Sequence, residues 1–142
     1  MAKEEIKILS IEDDEFMRIF LKDVFWVHGM QAKDDVKLTM VDSFKKVKDI
    51  LCDPSTRPDI ILLDLMVPDE NEGIVDREAG FHFLEEIKTN KDTKDIKVII
   101  FSGFSDKEIK DKATKLGADR FLVKGEYLPK ELINAIHEVA SN

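Results

Sequence analysis

Two stretches of this sequence are apolar at every position, Ile60-Ile61-Leu62-Leu63 and Val98-Ile99-Ile100-Phe101. Such runs are short for buried helices, and they lack the alternation of a strand that shows one face to water. They suit strands covered on both faces, as in parallel sheets whose crossover helices lie above and below. Residues 6–11, 36–41 and 121–123 are further strand-like runs. The segments between them carry apolar residues at three- and four-residue intervals.

Phe16, Phe20, Val24 and Val27 predict a first helix with one apolar stripe. Ser43 is placed to cap a second helix bearing Phe44, Val47, Ile50 and Leu51, which residues 53–59, with two prolines, close. A third helix is expected from about residue 80 to 89. Ser105 and Glu108 form an S-x-x-E capping box for the fourth, and Gly117 marks its stop. Pro129 suits the first turn of a fifth, with Leu132, Ile136 and Val139 on its apolar face. Five β/α units with no linker or repeat between them predict an α/β fold, a doubly wound five-stranded parallel sheet with helices on both faces. The pattern leaves the order of the strands open.

At 142 residues the chain has the length of one domain and can bury roughly two-thirds of the surface its unfolded form exposes. Its 43% hydrophobic and 37% charged content fits a compact soluble class. No run approaches the roughly 20 apolar residues of a spanning helix, and the MAKEEIKILS start is unlike a signal peptide, so the cytoplasm is the expected compartment. A net charge of −8 disfavours nucleic acid and anionic membranes as direct partners. The single cysteine, Cys52, excludes an internal disulfide and is expected to be a buried, inert thiol. His28, His82 and His137 lack metal-ligand spacing and are expected at the surface or in helix packing, and Trp26 on the first helix is expected in packing.

In open parallel sheets the ligand crevice lies beyond the carboxyl ends of the strands. Strand one is followed by Glu12, Asp13 and Asp14, strand three by Asp64, strand four by Ser102 and strand five by Lys124. Carboxylates gathered at one end repel each other unless a cation is present, although an acid after a strand is also the usual cap of the next helix. Mg²⁺ suits such a set, because it takes a few carboxylate oxygens and keeps open positions for water or a phosphoryl oxygen. Lys124 and Ser102 offer a positive charge and a hydroxyl to the remaining phosphoryl oxygens.

The E-D at 12–13, D-L-M-V-P at 64–68, S-G at 102–103 and V-K at 123–124, in order at four strand ends, resemble the receiver domain of bacterial response regulators. The resemblance spans nearly the whole chain. It implies that Asp64 is the phosphoacceptor and that Glu12, Asp13, Asp64 and the backbone carbonyl of Met66 hold Mg²⁺. It implies further that Lys124 pairs with phosphoryl oxygens, that Ser102 is the switching hydroxyl and that Phe121 is the switching aromatic. The implied donor is a histidine kinase or phosphotransfer protein. The implied output is a changed surface at the fourth helix and fifth strand. One receiver domain over residues 1–142 with no output domain is expected, so that the response passes to another protein.

Three departures from the family pattern carry expectations. Residues 69–79, DENEGIVDREA, lengthen an ordinarily short loop and make it acidic. Gly125 follows Lys124 where the family has proline after a cis bond, leaving a strained cis or a trans peptide as alternatives. Met66 and Phe104 place large apolar groups where water approaches, which predicts a long-lived phosphoryl-aspartate. Among other functions, a haloacid-dehalogenase-like phosphatase is disfavoured by Met66, which stands where that class has its acid/base. A flavodoxin-like FMN binder is disfavoured by the acidic strand ends. A receiver-like scaffold acting without phosphorylation is a third alternative.

Overall fold

The computed structural model describes residues 5–29, 35–65, 77–103 and 106–141. The two all-apolar runs lie inside one parallel sheet of order β2-β1-β3-β4-β5. Its strands are β1 (Glu5–Ile11), β2 (Asp35–Val41), β3 (Ile60–Leu63), β4 (Lys97–Ser102) and β5 (Arg120–Val123). β3 takes the centre, and each of its four side chains is at most 1% exposed. The helices are α1 (Glu15–Val24), α2 (Phe44–Cys52), α3 (Arg77–Thr89), α4 (Lys107–Lys115) and α5 (Pro129–Ala140). The doubly wound class expected from the pattern is therefore the fold observed.

Alternate strand residues point to opposite faces. Leu9, Ile11, Ile61, Leu63, Val98 and Ile100 pack under α2, α3 and α4. Ile8, Ile60, Leu62, Ile99, Phe101 and Leu122 pack under α1 and α5. The chain leaves β1 toward β2 on one side and returns to β3 on the other, so the direction of winding reverses between β1 and β3. That reversal opens a crevice at their carboxyl ends.

Several local expectations need correction. The buried face of α1 is Leu21 and Val24, continued by Phe25 in a π-helical turn over Phe25–Gly29. Phe16 and Val27, assigned to the buried stripe, are exposed, as is Trp26 at 71%. The reason lies in the helix itself, which carries apolar residues over more than half its circumference and so admits two stripes about one residue apart. Cys52 is exposed rather than buried, because it ends α2 on the side turned away from Val47. Ser43 sits at the N-cap of α2, but its hydroxyl, buried, makes no capping bond. α3 begins at Arg77, so the end of the acidic segment forms its first turn. Asp106 holds the N-cap position of α4 without a side-chain capping bond; Ser105 lies outside the described residues.

Other signals stand as read. Gly117, with φ of 104°, ends α4. Pro129 opens α5, where Glu131 Oε1 accepts the Leu128 N–H at 2.8 Å. No helix among the described residues is long and apolar enough to cross a membrane.

Candidate metal and phosphoryl site

Three hydrogen bonds carry the sheet pairing one residue past its strands. Glu12 N–H donates to Val41 O at 2.9 Å, Asp64 N–H to Ile11 O at 3.1 Å and Lys124 N–H to Ser102 O at 2.7 Å. The residues that follow β1, β3 and β5 are thus anchored to neighbouring strands, and their side chains start from rigid backbone. They converge: one carboxylate oxygen from each of Glu12, Asp13 and Asp64 lies within 4.8 Å of the other two. Lys124 Nζ stands 2.6 Å from Glu12 Oε1 and 3.0 Å from Asp64 Oδ2, bridging the two buried acids. Asp13 is exposed at the rim.

The third acid of the first strand end has a different task. Asp14 is the N-cap of α1, and its Oδ1 accepts the Phe16 N–H at 3.0 Å. The helix-cap reading holds for this residue and leaves Glu12 and Asp13 to the crevice. The Asp14 N–H also donates to Glu12 Oε2 at 3.2 Å, orienting that carboxylate. Sequence reading missed this contact, since a backbone donor leaves no mark in residue type.

Crowding sets the electrostatics. Burial, then hydrogen bonding with and repulsion from Asp64, push the Glu12 carboxyl up to about 7, against the pull of Lys124. Burial and the Asp64 charge raise Asp13 above the ordinary aspartate range. Burial draws the Lys124 ammonium down, but the facing carboxylates of Asp64 and Glu12 outweigh it and hold its pKa above the usual lysine value. Three carboxyl groups share one ammonium, and a further cation would relieve the remaining repulsion.

The donor set fits a hard divalent ion. Octahedral Mg²⁺ with oxygens at about 2.1 Å spaces its ligands about 3 to 4 Å apart, within reach of these three oxygens after small side-chain adjustment. Among the other residues singled out from sequence, Ser102 is fully buried at the end of β4, beside Lys124. Phe121 lies opposite Ile100 on β5, half-buried, with Lys110 Nζ 5.8 Å from its ring centre. Met66, Phe104 and residues 69–76 lie outside the described residues. Among the described residues no peptide is cis, so the Lys124–Gly125 bond is trans, with Gly125 at φ 85°. Glycine meets that left-handed backbone without strain.

A family model for the response regulator receiver domain matches residues 8–137. The chain belongs to this family. The chain is 26% identical to the chemotaxis protein CheY of Thermotoga maritima over 136 residues, covering 94% of this chain and 97% of that one. It is 27% identical to the phosphate regulon transcriptional regulatory protein PhoB of Escherichia coli, over 94% of this chain but only 51% of PhoB, so it spans about half the length of that relative. Its fold matches the receiver domain of a Pseudomonas aeruginosa sensor histidine kinase, solved with magnesium in its active-site cleft. The TM-score is 0.74 at 17% identity, covering 97% of this chain and 99% of that one. Receiver domains of two-component response regulators are signalling domains that bind a divalent metal and interact with histidine kinases or phosphotransfer proteins.

Proposed function

We propose that this receiver domain accepts a phosphoryl group on Asp64 from a cytoplasmic histidine kinase or phosphotransfer protein, in a reaction that requires Mg²⁺. The observation that carries the reading is the Lys124 ammonium shared between Glu12 and Asp64 at the edge of a three-carboxylate cluster. A carboxylate oxygen of Asp64 attacks phosphorus, an O–P bond forms, the P–N bond to the donor histidine breaks, and its imidazole leaves. Lys124 stays within reach of the acceptor carboxylate and so of the oxygens on the transferring group. Glu12, Asp13 and Asp64, with the Met66 carbonyl that the family resemblance implies, would hold Mg²⁺, which when bound would offset charge on those oxygens.

Phosphorylation places new negative charge next to Ser102, whose hydroxyl turns toward it. Phe121 moves inward into the space this frees, and α4 and β5 present a changed surface to a downstream protein. The large apolar Met66 and Phe104 hinder attacking water, which favours a long-lived phosphoryl-aspartate.

Incubation with acetyl phosphate and Mg²⁺ tests the assignment. Intact-mass measurement should show one added phosphoryl group, lost with Asp64→Asn and with a chelator. An adduct that persists in Asp64→Asn would refute the choice of acceptor, and no adduct on the wild type under any donor would refute phosphotransfer altogether.

A further inference from the structure

Gly80 stands in the first turn of α3 and is buried. A Cβ at this position would lie 2.7 Å from the carbonyl oxygen of Leu65 and 2.8 Å from its Cα. Both are backbone atoms of a residue only 1% exposed, so neither can swing aside as the tip of a side chain would. Glycine is a poor helix former, and helix propensity alone would favour alanine here. The backbone does not require glycine either, because the described positive-φ glycines are Gly117 and Gly125. What the position lacks is space.

Leu65 directly follows Asp64. The strand end that carries Asp64 is therefore supported on two sides, by the hydrogen bond from Asp64 N–H to Ile11 O and by α3 seated against the Leu65 backbone. We propose that Gly80 is a positioning residue for the acidic site: the missing side chain lets α3 close onto the Leu65 backbone and so fixes where Asp64 stands relative to Glu12, Asp13 and Lys124. The inference rests on reading that cluster as the cation and phosphoryl site. An interior packed to crystal-like density has no slack for a methyl at this contact, so α3 or the Leu65 backbone must shift. Liganding and reacting groups tolerate displacements of only about 0.5 Å.

The test compares the full chain with Gly80→Ala and with Ile136→Ala. Ile136 is a fully buried residue of α5 on the opposite face of the sheet, so its truncation lowers stability without touching α3. Mn²⁺ and Mg²⁺ affinities are read by calorimetry at a temperature where circular dichroism shows each protein folded. Gly80→Ala is expected to weaken cation binding about tenfold or more, the range typical when the support of a metal ligand is disturbed. Its phosphoryl uptake from acetyl phosphate should slow in parallel, while Ile136→Ala keeps wild-type affinity despite its lower melting temperature.

A folded Gly80→Ala with wild-type affinity would overturn the proposal and leave the site assignment intact. A wild type that binds neither cation would instead remove the assignment on which the proposal rests. Should Gly80→Ala not fold, Mg²⁺ titration of ¹⁵N-labelled wild type decides. The Gly80 and Phe81 amide resonances should move with the same midpoint as that of Leu65, and a stationary Gly80 signal would overturn the proposal.

Discussion

The two ends of the sheet use the same residue types to opposite effect. At the amino end, Asp59 Oδ2 accepts the Lys7 N–H at 2.9 Å, and Asp119 Oδ2 accepts both the Val98 N–H and the Lys88 ammonium at 2.8 Å. Lys88 Nζ also donates to Ile96 O at 2.8 Å. Each acid there meets donors supplied by the adjoining backbone, and α3, β4 and β5 are stapled together. At the carboxyl end, Glu12, Asp13 and Asp64 crowd round Lys124, and burial, followed by the neighbouring Asp64, raises the pKa of Glu12 and Asp13. Matched charge makes a fastener, whereas an excess of one sign under partial burial makes a site suited to a divalent cation.

The largest effect should come from removing the ammonium that both buried acids share. Lys124→Gln is expected to slow phosphoryl uptake about 100-fold. It should also lower stability at neutral pH by about 3 kcal/mol, since Glu12 and Asp64 lose their partner. Mg²⁺ should then restore more melting temperature in the variant than in the wild type. Equal restoration in both would break the contrast drawn between the two ends.

Lys88→Met at the amino end should cost about 1 kcal/mol in chemical denaturation, because it strips a part-buried bond to Ile96 O and an exposed ion pair with Asp119. Phosphoryl uptake per folded molecule should be unchanged. A variant equally impaired in uptake would mean that the two ends are not independent.

Protons sharpen the comparison further. Folding raises the Glu12 pKa from its ordinary 4.5 to about 7, so the folded state holds that proton more tightly than the unfolded chain. Without divalent cation this contribution to stability is greatest below about pH 4.5 and is lost as pH rises through about 7. Mg²⁺ competes with the same proton, so its affinity should fall by up to about tenfold per pH unit below 7. Glu12→Gln should flatten the stability profile across that window, as melting curves with chelator present would show. The smallest effect belongs to the exposed Arg120–Glu138 pair, 2.6 Å apart. Glu138→Gln should change stability by less than about 0.5 kcal/mol.

Much of this was legible in the sequence because each signal had one physical cause. IILL and VIIF are apolar throughout because helices cover both of their faces, and Glu12, Asp64 and Lys124 follow strands whose ends face one crevice. α1 was less legible because its apolar residues cover more than half its circumference. Only packing against β1, β2 and α5 selects Leu21, Val24 and Phe25 over Phe16 and Val27. The tight seat of α3 on Leu65 was hidden for another reason: a glycine at a helix start carries no mark of which backbone it meets until the neighbouring strand end is known.

The parallel pairing has a kinetic consequence. Ile8 lies opposite Ile60, Ile60 opposite Lys97 and Ile99 opposite Arg120, so no two strands of this sheet are joined by a local turn. Contacts this distant along the chain make collapse to the native state slow and cooperative. Since Glu12 and Asp13 follow β1 and Asp64 follows β3, the proposed cation ligands meet only once these distant strands of a cooperative sheet have paired. Stopped-flow refolding should therefore regain cation binding together with the last structural phase.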